Sequence, residues 1–269
     1  MKQKDQKNPG KIAYFSHGGG PLPLLKDPSH QKMVQFMTDF PTLVSQPDAV
    51  VVFSAHWEEN TVTIQSGKDP GLVYDYYGFP KEAYEITYPC QGQPEISQKI
   101  ADLMEKEGIS VELDETRPFD HGSYIPMKLM YPKANVPVIQ VSLHHSLDPR
   151  VHLNMGKALR PLLKENILFI GSGFSFHNMR AFDFRGLEKE DLQNDAFQEA
   201  LINLCTVEEN EAKRWDKWTS WEKLPQARYC HPREEHLLPL LVCAGMAQKP
   251  GSKIFDDYIL GKRATAYLW

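Results

Sequence analysis

The sequence predicts an α/β fold: a single domain with a central, mostly parallel (mixed) sheet, flanked by helices, and a functional site at the carboxyl ends of the strands. Three observations predict it. Short apolar runs rich in Val, Ile and Phe lack polar alternation, which is typical of parallel strands covered on both faces. Amphipathic helical segments alternate with these runs. The 269 residues contain no internal repeat or linker, so one domain accounts for the chain.

Four apolar runs are the predicted parallel strands. They occupy residues 12–15, 49–53, 136–143 and 167–170. Two further strands are predicted at 253–260 and 262–268, on either side of Gly261. A glycine turn between two short strands is typical of a hairpin, so this pair should add antiparallel strands to the sheet.

Helices are predicted where apolar residues recur at spacings of three and four. In one of them Ile96, Ile100 and Leu103 lie on a single face. The predicted helices span 29–40, 95–106, 149–163, 188–204 and 237–247, with a charged surface helix over 208–221. Residues 1–10 are polar and lack the apolar region of a signal peptide, so we expect a disordered or extended segment before a domain at 11–269.

Composition argues against several classes of protein. The chain carries 30 Lys and Arg against 35 Asp and Glu, a formal charge of −5, which is unlike a nucleic-acid-binding protein. Its longest apolar stretch, 237–247, is too short to cross a bilayer. The four cysteines form no CxxC pair, as expected for reduced thiols. We therefore expect a cytoplasmic monomer or homodimer that binds neither membrane nor nucleic acid.

Three strand-like regions run directly into a histidine: His17, His56 and His177. Because the carboxyl ends of parallel strands meet at one edge of a sheet, these side chains can converge in a ligand crevice. Neutral imidazole is the most common metal ligand in proteins. The set predicts a mononuclear metal site, although any one of these histidines taken alone fits an ordinary hydrogen-bonded role better than a ligand role.

Further histidines extend this pattern. His121 lies in a loop before a helical segment, and HPREEH places His231 and His236 at the start of an apolar helix. The glycines at 18–20 belong to neither GxGxxG nor GxxxxGK[ST], so a phosphate-binding loop is not indicated. Weaker candidates or structural residues are His30, His144, His145 and His152.

Six motifs occur in order along the chain. They are SHGGGP at 16–21, SAHWEE at 54–59, YDYYGFP at 74–80, DHGSYIPM at 120–127, GSGFSFHN at 171–178 and HPREEHLLPL at 231–240. Together they resemble the LigB-like class III extradiol ring-cleavage dioxygenases, in the single-chain 4,5-DOPA dioxygenase branch. The resemblance spans about residues 11–268. It implies an α/β fold with a mixed sheet and a mononuclear iron(II) site, which zinc often occupies in isolated protein.

The resemblance also implies a set of metal ligands. His17 and His56 match two of them, and the third falls in HPREEH. Two-subunit members complete the set with a carboxylate, whereas this branch uses the histidine at position 236. His236 is therefore the expected third ligand, with Glu235 as the alternative. A histidine in place of a carboxylate leaves the metal with one fewer negative charge.

Catalytic roles follow from the same resemblance. His177 matches the active-site histidine that acts as a general base or as an additional metal ligand. His121 matches the second-sphere histidine that meets substrate and dioxygen. The implied reaction inserts both atoms of O2 into a small, DOPA-like catechol. Four aromatic residues in a segment bounded by glycine and proline are candidates to line the substrate mouth: Tyr74, Tyr76, Tyr77 and Phe79. Of these, Tyr74 and Tyr77 are the expected substrate contacts.

Two other functions remain open from the sequence. A zinc hydrolase would use the same histidines to activate water and would need no oxygen. A non-catalytic, Memo-like binding protein would share the scaffold without turnover, because fold alone does not give function. The dioxygenase differs from both in that it requires iron(II) and consumes O2.

Overall fold

The computed structural model describes residues 10–269, so the predicted segment at 1–10 lies outside the described residues apart from Gly10. Within the described chain, eight strands form one sheet in the order β4-β3-β5-β2-β6-β1-β8-β7. The strands are β1 (Lys11–Ser16), β2 (Ala49–Glu59), β3 (Val62–Gln65), β4 (Val111–Asp114), β5 (Val138–His144), β6 (Ile167–Gly173), β7 (Ser252–Ile259) and β8 (Lys262–Leu268).

The four central strands, β5, β2, β6 and β1, are parallel to one another. The predicted hairpin, β7 and β8, joins β1 by an antiparallel pairing. β3 pairs antiparallel with β5 on the opposite side. This arrangement confirms the prediction of a single-domain α/β fold with a mostly parallel, mixed sheet.

Burial explains why the central strands are apolar on both faces. In β2, Val51 is paired with Ile139 of β5 and with Phe169 of β6, and all three side chains are fully buried. Each such residue contributes about 1.5–3 kcal/mol to stability by leaving water. Helices cover the sheet. They are α1 (Gln31–Asp39), α2 (Pro94–Lys106), α3 (His121–Met130), α4 (Pro149–Ala158), α5 (Leu192–Thr206), α6 (Glu211–Thr219), α7 (Ala227–Cys230) and α8 (Leu238–Met246).

One close approach positions the HPREEH segment against the sheet. The carbonyl oxygen of His236 accepts a hydrogen bond of 3.0 Å from the backbone N–H of Phe174, just beyond β6. A Cβ on Gly173 would lie 2.1 Å from that oxygen, so only glycine permits the contact. The absence of a side chain at this position therefore fixes where His236 stands relative to β6.

Several predicted helices have different ends. α1 begins at Gln31, because Pro28–His30 forms a separate 3₁₀ turn. α4 ends at Ala158 and the chain continues as another 3₁₀ turn. α5 begins at Leu192, where the Asp191 side chain accepts a hydrogen bond from the first turn.

Two strands and one helix depart further from the prediction. β3 and β4 were not predicted, because each has only four residues and β4 is largely solvent-accessible. The surface helix predicted at 208–221 is shorter in the structure, where α6 spans Glu211–Thr219. Its aromatic residues are not all at the surface, since Trp218 and Trp221 are each 1% exposed. None of the helices in residues 10–269 combines the length and apolar character needed to traverse a bilayer.

Candidate metal centre

His17 and His56 come from the two strands that flank β6. His17 follows β1 directly, whereas His56 lies inside β2, which continues to Glu59 instead of ending before the histidine as predicted. The pairing of β2 with β5 shifts register between Phe53 and Glu58, and such irregularities redirect side chains. The Nε2 atoms of His17 and His56 lie 2.9 Å apart.

His236 joins this pair from the loop before α8. Its Nε2 lies 3.2 Å from Nε2 of His56. Its carbonyl oxygen also accepts a hydrogen bond of 3.2 Å from the hydroxyl of Tyr14 on β1, so the backbone is held from two sides. The structure thus brings together His17, His56 and His236, with all three ligand atoms within 4.8 Å of one another.

In His17 and His236, the hydrogen bond at Nδ1 determines which ring nitrogen carries the proton. Nδ1 of His236 donates to Oε1 of Glu235 over 2.9 Å. The hydroxyl of Ser172 gives its proton to the carbonyl of Gly122, so it must accept from Nδ1 of His17, 3.1 Å away. Both Nε2 atoms therefore carry lone pairs, and both point at Nε2 of His56.

All three imidazoles are held in the neutral form. Burial, followed by the proximity of other histidines, lowers the pKa of His17 and of His236 well below 6.5. Burial and the neighbouring His121 likewise lower the pKa of His56, although Asp75 and Glu235 oppose this effect. Metal ligation requires the unprotonated nitrogen, so these histidines are already in the binding state near neutral pH.

The donor set fits a divalent metal ion. The lone pairs of Nε2 in His17 and His236 face Nε2 of His56 at 2.9 and 3.2 Å. A single N–H on His56 can form a hydrogen bond with only one of them. The lone pairs therefore repel one another unless a cation lies among the three nitrogens. Nitrogen ligands at about 2.1 Å from a shared ion are about 3.0 Å apart at right angles and about 3.4 Å apart in a tetrahedron. The observed separations agree with those values.

Glu235 connects this cluster to His177. The same Oε1 that accepts from His236 lies 3.1 Å from Nδ1 of His177. Burial alone would raise the pKa of Glu235, but the contact with His177 outweighs it and lowers that pKa. Glu235 is therefore ionised and contacts Nδ1 of both His177 and His236. His236, and not Glu235, forms the cluster with His17 and His56.

His121 is positioned by Asp75. His121 is the first residue of α3, not part of the preceding loop as predicted. Its Nδ1 and its backbone N–H lie 2.8 and 3.0 Å from Oδ1 of Asp75, and Oδ2 of Asp75 is 3.7 Å from Nδ1 of His56. Burial would raise the pKa of Asp75, but His121 and then His56 lower it to about 2. Asp75 was missed in the sequence, although it lies in the quoted motif YDYYGFP.

Asp120 precedes His121 in the chain but does not contact its side chain, which Asp75 holds instead. It is fully buried and accepts hydrogen bonds from Ser54, at 2.7 Å, and from Gln140. Burial, with a smaller effect of Asp75, raises the pKa of Asp120. Its contacts join α3 to the sheet, which is a structural role.

The remaining histidines lie outside the cluster. His231 is buried, with Nε2 3.1 Å from the carbonyl oxygen of Ser175, and burial lowers its pKa to about 3. His152 accepts a hydrogen bond from the backbone of His144, while His145 is exposed at the surface. His231, which HPREEH made a candidate, thus does not join His17, His56 and His236.

A cavity of about 450 Å³ opens onto the cluster. Its walls include His121 and His177 together with the three clustered histidines. Tyr74 and Tyr77 are not among the lining residues: Tyr77 is 91% exposed, and the Tyr74 hydroxyl donates to the carbonyl of Ile86. The other two aromatic candidates of this segment, Tyr76 and Phe79, do line the cavity. The expectation about Tyr74 and Tyr77 is therefore corrected, since neighbouring side chains of this extended segment point in different directions.

The glycine-rich loop forms part of the same cavity. Gly18 has φ of +88°, and a Cβ there would lie 2.8 Å from Pro23. The backbone N–H of Gly19 donates to Nε2 of His30, 2.9 Å away, and Nδ1 of His30 lies 2.8 Å from Asp27. The buried His30 thus holds the loop beside His17, and the glycines allow the close packing.

Three neutral imidazoles at the carboxyl edge of an α/β sheet, beside two further histidines held by carboxylates, define a metal-dependent enzyme site. The family described as "Catalytic LigB subunit of aromatic ring-opening dioxygenase" matches residues 24–265. The chain belongs to this family, and it is an oxidoreductase of the dioxygenase class with a metal cofactor.

Individual relatives agree with this assignment. "Dioxygenase tasH" of Hapsidospora irregularis is 39% identical over 274 residues, which cover 96% of this chain and 85% of the relative. "4,5-DOPA dioxygenase extradiol" of Mirabilis jalapa is 31% identical over 245 residues, or 89% and 88% of the two chains. The resemblance to the 4,5-DOPA dioxygenase branch is confirmed.

A solved structure supports the fold. The crystal structure of an uncharacterized protein from Escherichia coli K12 matches with a TM-score of 0.77 and covers 96% of this chain and 98% of that chain. The two sequences are 24% identical. The similarity therefore concerns the arrangement of helices and strands.

Proposed function

We propose that this protein is an extradiol ring-cleaving dioxygenase that inserts both atoms of O2 into a small catechol. The observation that carries the proposal is the convergence of the Nε2 atoms of three neutral imidazoles in a largely apolar cavity that also contains two further histidines. His17, His56 and His236 would hold a single iron(II) ion. Zinc is an alternative occupant of the same ligands in isolated protein.

The names of the relatives point in the same direction. The protein from Mirabilis jalapa is named for extradiol cleavage of DOPA, a catechol. When bound, iron(II) supplies the path by which electrons pass from a catecholate to dioxygen, which zinc, having no redox chemistry, does not. This difference is the reason for assigning iron to the active protein.

His177 is the proposed general base. Nδ1 of His177 faces the ionised Glu235, so its proton stays there and Nε2 keeps a lone pair. Nε2 would take the phenolic proton of the catechol and later return it to an oxygen of the opening ring. Such proton transfers typically contribute about 100- to 10,000-fold to rate.

His121 is the proposed partner on another wall of the cavity. The ionised Asp75 holds the Nδ1 proton of His121, which fixes the orientation of the ring. The ring centroids of His121 and His56 are 3.9 Å apart, so His121 lies directly beside the metal ligands. There the other ring nitrogen, Nε2, would orient the reactants by hydrogen bonding to them.

The rest of the cavity would orient the ring and exclude water. Tyr76 and Phe79 pack with centroids 5.4 Å apart at 81°, and the Tyr76 hydroxyl donates to the carbonyl of Ala83. These fixed aromatic side chains form one wall for a planar substrate. Excluding water strengthens the electrostatic interactions between His177, His121 and the bound catechol.

Anaerobic reconstitution tests this proposal. Metal-free protein is loaded with iron(II) or, as the matched control, with zinc(II), and each form is given catechols and then oxygen. We expect oxygen uptake and a yellow ring-opened product with iron(II) only, one O2 per catechol. Hydrolytic activity with zinc and no oxygen uptake would identify a hydrolase, and absence of turnover with either metal would favour a binding protein; either result would refute the proposal.

A further inference from the structure

In the part of the chain that the structure describes, the cavity wall lacks the positively charged side chain that would pair with a carboxylate on the substrate. Of the seventeen lining residues within the described chain, none is Lys or Arg. Five are the histidines of the site, three are glycines and eight are apolar or aromatic, including Leu22, Met179 and Phe184. The remaining residue, Asp27, is acidic. The part of the cavity beyond the histidines is therefore apolar and carries a single negative group.

Asp27 is ionised and has no cationic partner among its described contacts. Oδ1 accepts from the backbone N–H of Ser29 at 3.0 Å and from His30 at 2.8 Å. Burial would raise the pKa of Asp27, but the hydrogen bonds of Ser29 and His30 lower it, while burial lowers the pKa of His30 and keeps that ring neutral. The cavity wall consequently has a carboxylate that would repel a second one.

Two basic residues that lie in or next to the site motifs, Lys128 and Arg233, are engaged elsewhere. Nζ of Lys128 donates to the carbonyl of Thr87 over 2.8 Å. Arg233 makes two hydrogen bonds of 2.6 Å to the carboxylate of Glu58. Neither side chain lines the cavity. A carboxylate in the cavity would therefore meet neither of these cations.

Basic residues do occur in a neighbouring cleft, which shares Phe182 and Phe184 with the cavity as a common aromatic wall. Each of them already faces an aspartate, so the cleft does not offer a free cation. The pairs are Arg185 and Lys189 with Asp183, and Lys262 with Asp191. A substrate carboxylate would have to pass the aromatic wall and displace one of these pairs.

Because a carboxylate that enters an apolar site unpaired loses its hydration without compensation, such substrates are disfavoured here. Resting on the proposed function, we infer that the substrate of this protein is a catechol whose ring substituent is apolar and carries no carboxylate, in contrast to DOPA. The aliphatic and aromatic side chains beyond the histidines provide the matching surface.

A substrate panel tests this inference on the unmodified protein. Iron(II)-loaded protein is assayed with 4-ethylcatechol, 3,4-dihydroxyphenylpropionate and DOPA, which share the catechol ring and differ in charge. We expect kcat/KM for 4-ethylcatechol to exceed both others by about tenfold or more. Equal or higher kcat/KM for a carboxylated catechol would overturn the inference and leave the proposed dioxygenase intact, whereas failure to cleave all three would instead count against the dioxygenase.

Binding provides a readout that does not depend on turnover. Zinc(II)-loaded protein is titrated with the same three catechols by calorimetry under nitrogen. We expect the Kd of 4-ethylcatechol to be lower than that of 3,4-dihydroxyphenylpropionate by about tenfold or more. Equal dissociation constants would overturn the inference even if the iron-loaded protein were inactive.

A charge introduced at the rim should reverse the preference. Met179 lines the cavity and is 57% exposed, so Met179→Arg places a guanidinium there with little disturbance of the core. We expect Met179→Arg to bind 3,4-dihydroxyphenylpropionate about tenfold more tightly than Met179→Gln does. Met179→Gln is the uncharged control. An equal gain in both variants, or none in a folded Met179→Arg protein, would contradict the inference.

Discussion

The imidazole rings of His177 and His236 stack with their centroids 3.4 Å apart and their planes inclined by 15°. Both rings also direct Nδ1 to the same oxygen of Glu235, at 3.1 and 2.9 Å. One carboxylate therefore sets the orientation of a proposed metal ligand and of the proposed general base. Glu235 is a positioning residue, and a displacement of its side chain would affect both rings together.

Glu235→Gln should weaken metal binding. The substitution keeps the size of the side chain but removes the negative charge that polarises His236, and loss of such a partner typically costs 10- to 100-fold in affinity, that is about 1.4–3 kcal/mol. Competition with a chelator measures the change. Glu234→Gln is the matched control, because Glu234 pairs with Arg228 outside the cluster. If His236→Gln retained the metal while Glu235→Gln lost it entirely, the ligand would be Glu235.

His177→Ala should retain the metal and lose activity. The side chain is not among the three whose Nε2 atoms converge, so metal content by mass spectrometry should equal that of the unmodified protein. Without a base for the phenolic proton, kcat should fall about 100- to 10,000-fold. His145→Ala, at an exposed position, is the control. A kcat near the parental value would assign proton transfer to another group.

Asp75→Asn should affect activity more than metal binding. Asparagine keeps the shape but cannot hold His121 as an ionised carboxylate does, so the ring loses its fixed orientation. Because Asp75 is 3.7 Å from His56 and contacts His121 at 2.8 Å, we expect kcat/KM to fall about 10- to 100-fold with a smaller change in metal affinity. Asp69→Asn, at an exposed position, serves as control. Equal losses in kcat/KM and in metal affinity would contradict the expectation that Asp75 acts mainly through His121.

Stability should fall as the pH drops through the range in which unfolded histidine becomes protonated. Burial lowers the pKa of His152 to about 4 in the folded protein, against 6.5 when unfolded. Between these values the unfolded chain binds a proton that the folded chain does not, so acid favours unfolding, by about 3 kcal/mol in total below pH 4.

Urea denaturation of the metal-free protein between pH 7 and pH 4 measures this effect. His152→Gln should lower stability at pH 7, since it disturbs the hydrogen bonds to His144 and Asp148, but should show a shallower pH dependence, by about 1.4 kcal/mol per pH unit. His145→Gln, which changes an exposed histidine, should leave the slope as it is. A slope unchanged in His152→Gln would show that other groups cause the acid sensitivity.

The central sheet was predictable because its strands are apolar on both faces. A parallel strand covered on both faces buries Val50, Val51 and Val52 together, and the sequence shows this as a continuous apolar run. β3 and β4 were missed because they are short and lie at one edge, where β4 exposes Glu112 and Leu113 and carries no distinctive pattern.

The site was predictable to a similar degree. Histidines that follow strands are visible in the sequence, and the structure places His17, His56 and His236 together. The partners that orient them, such as Asp75 and Ser172, are common residue types whose role depends on distances between remote segments. A local sequence pattern cannot predict those distances. The exposure of Tyr77 to solvent likewise depends on how its loop packs.

The position of β1 between β6 and β8 has a consequence for biosynthesis. β1 is made early, yet its two neighbours begin at Ile167 and Lys262. Until Ile167 and the residues after it have been synthesised, His17 is therefore attached to a strand that has no partner on either side. A chain interrupted before residue 236 would carry only two of the three clustered imidazoles. The three-imidazole cluster therefore cannot be complete until the segment that carries His236 has been synthesised.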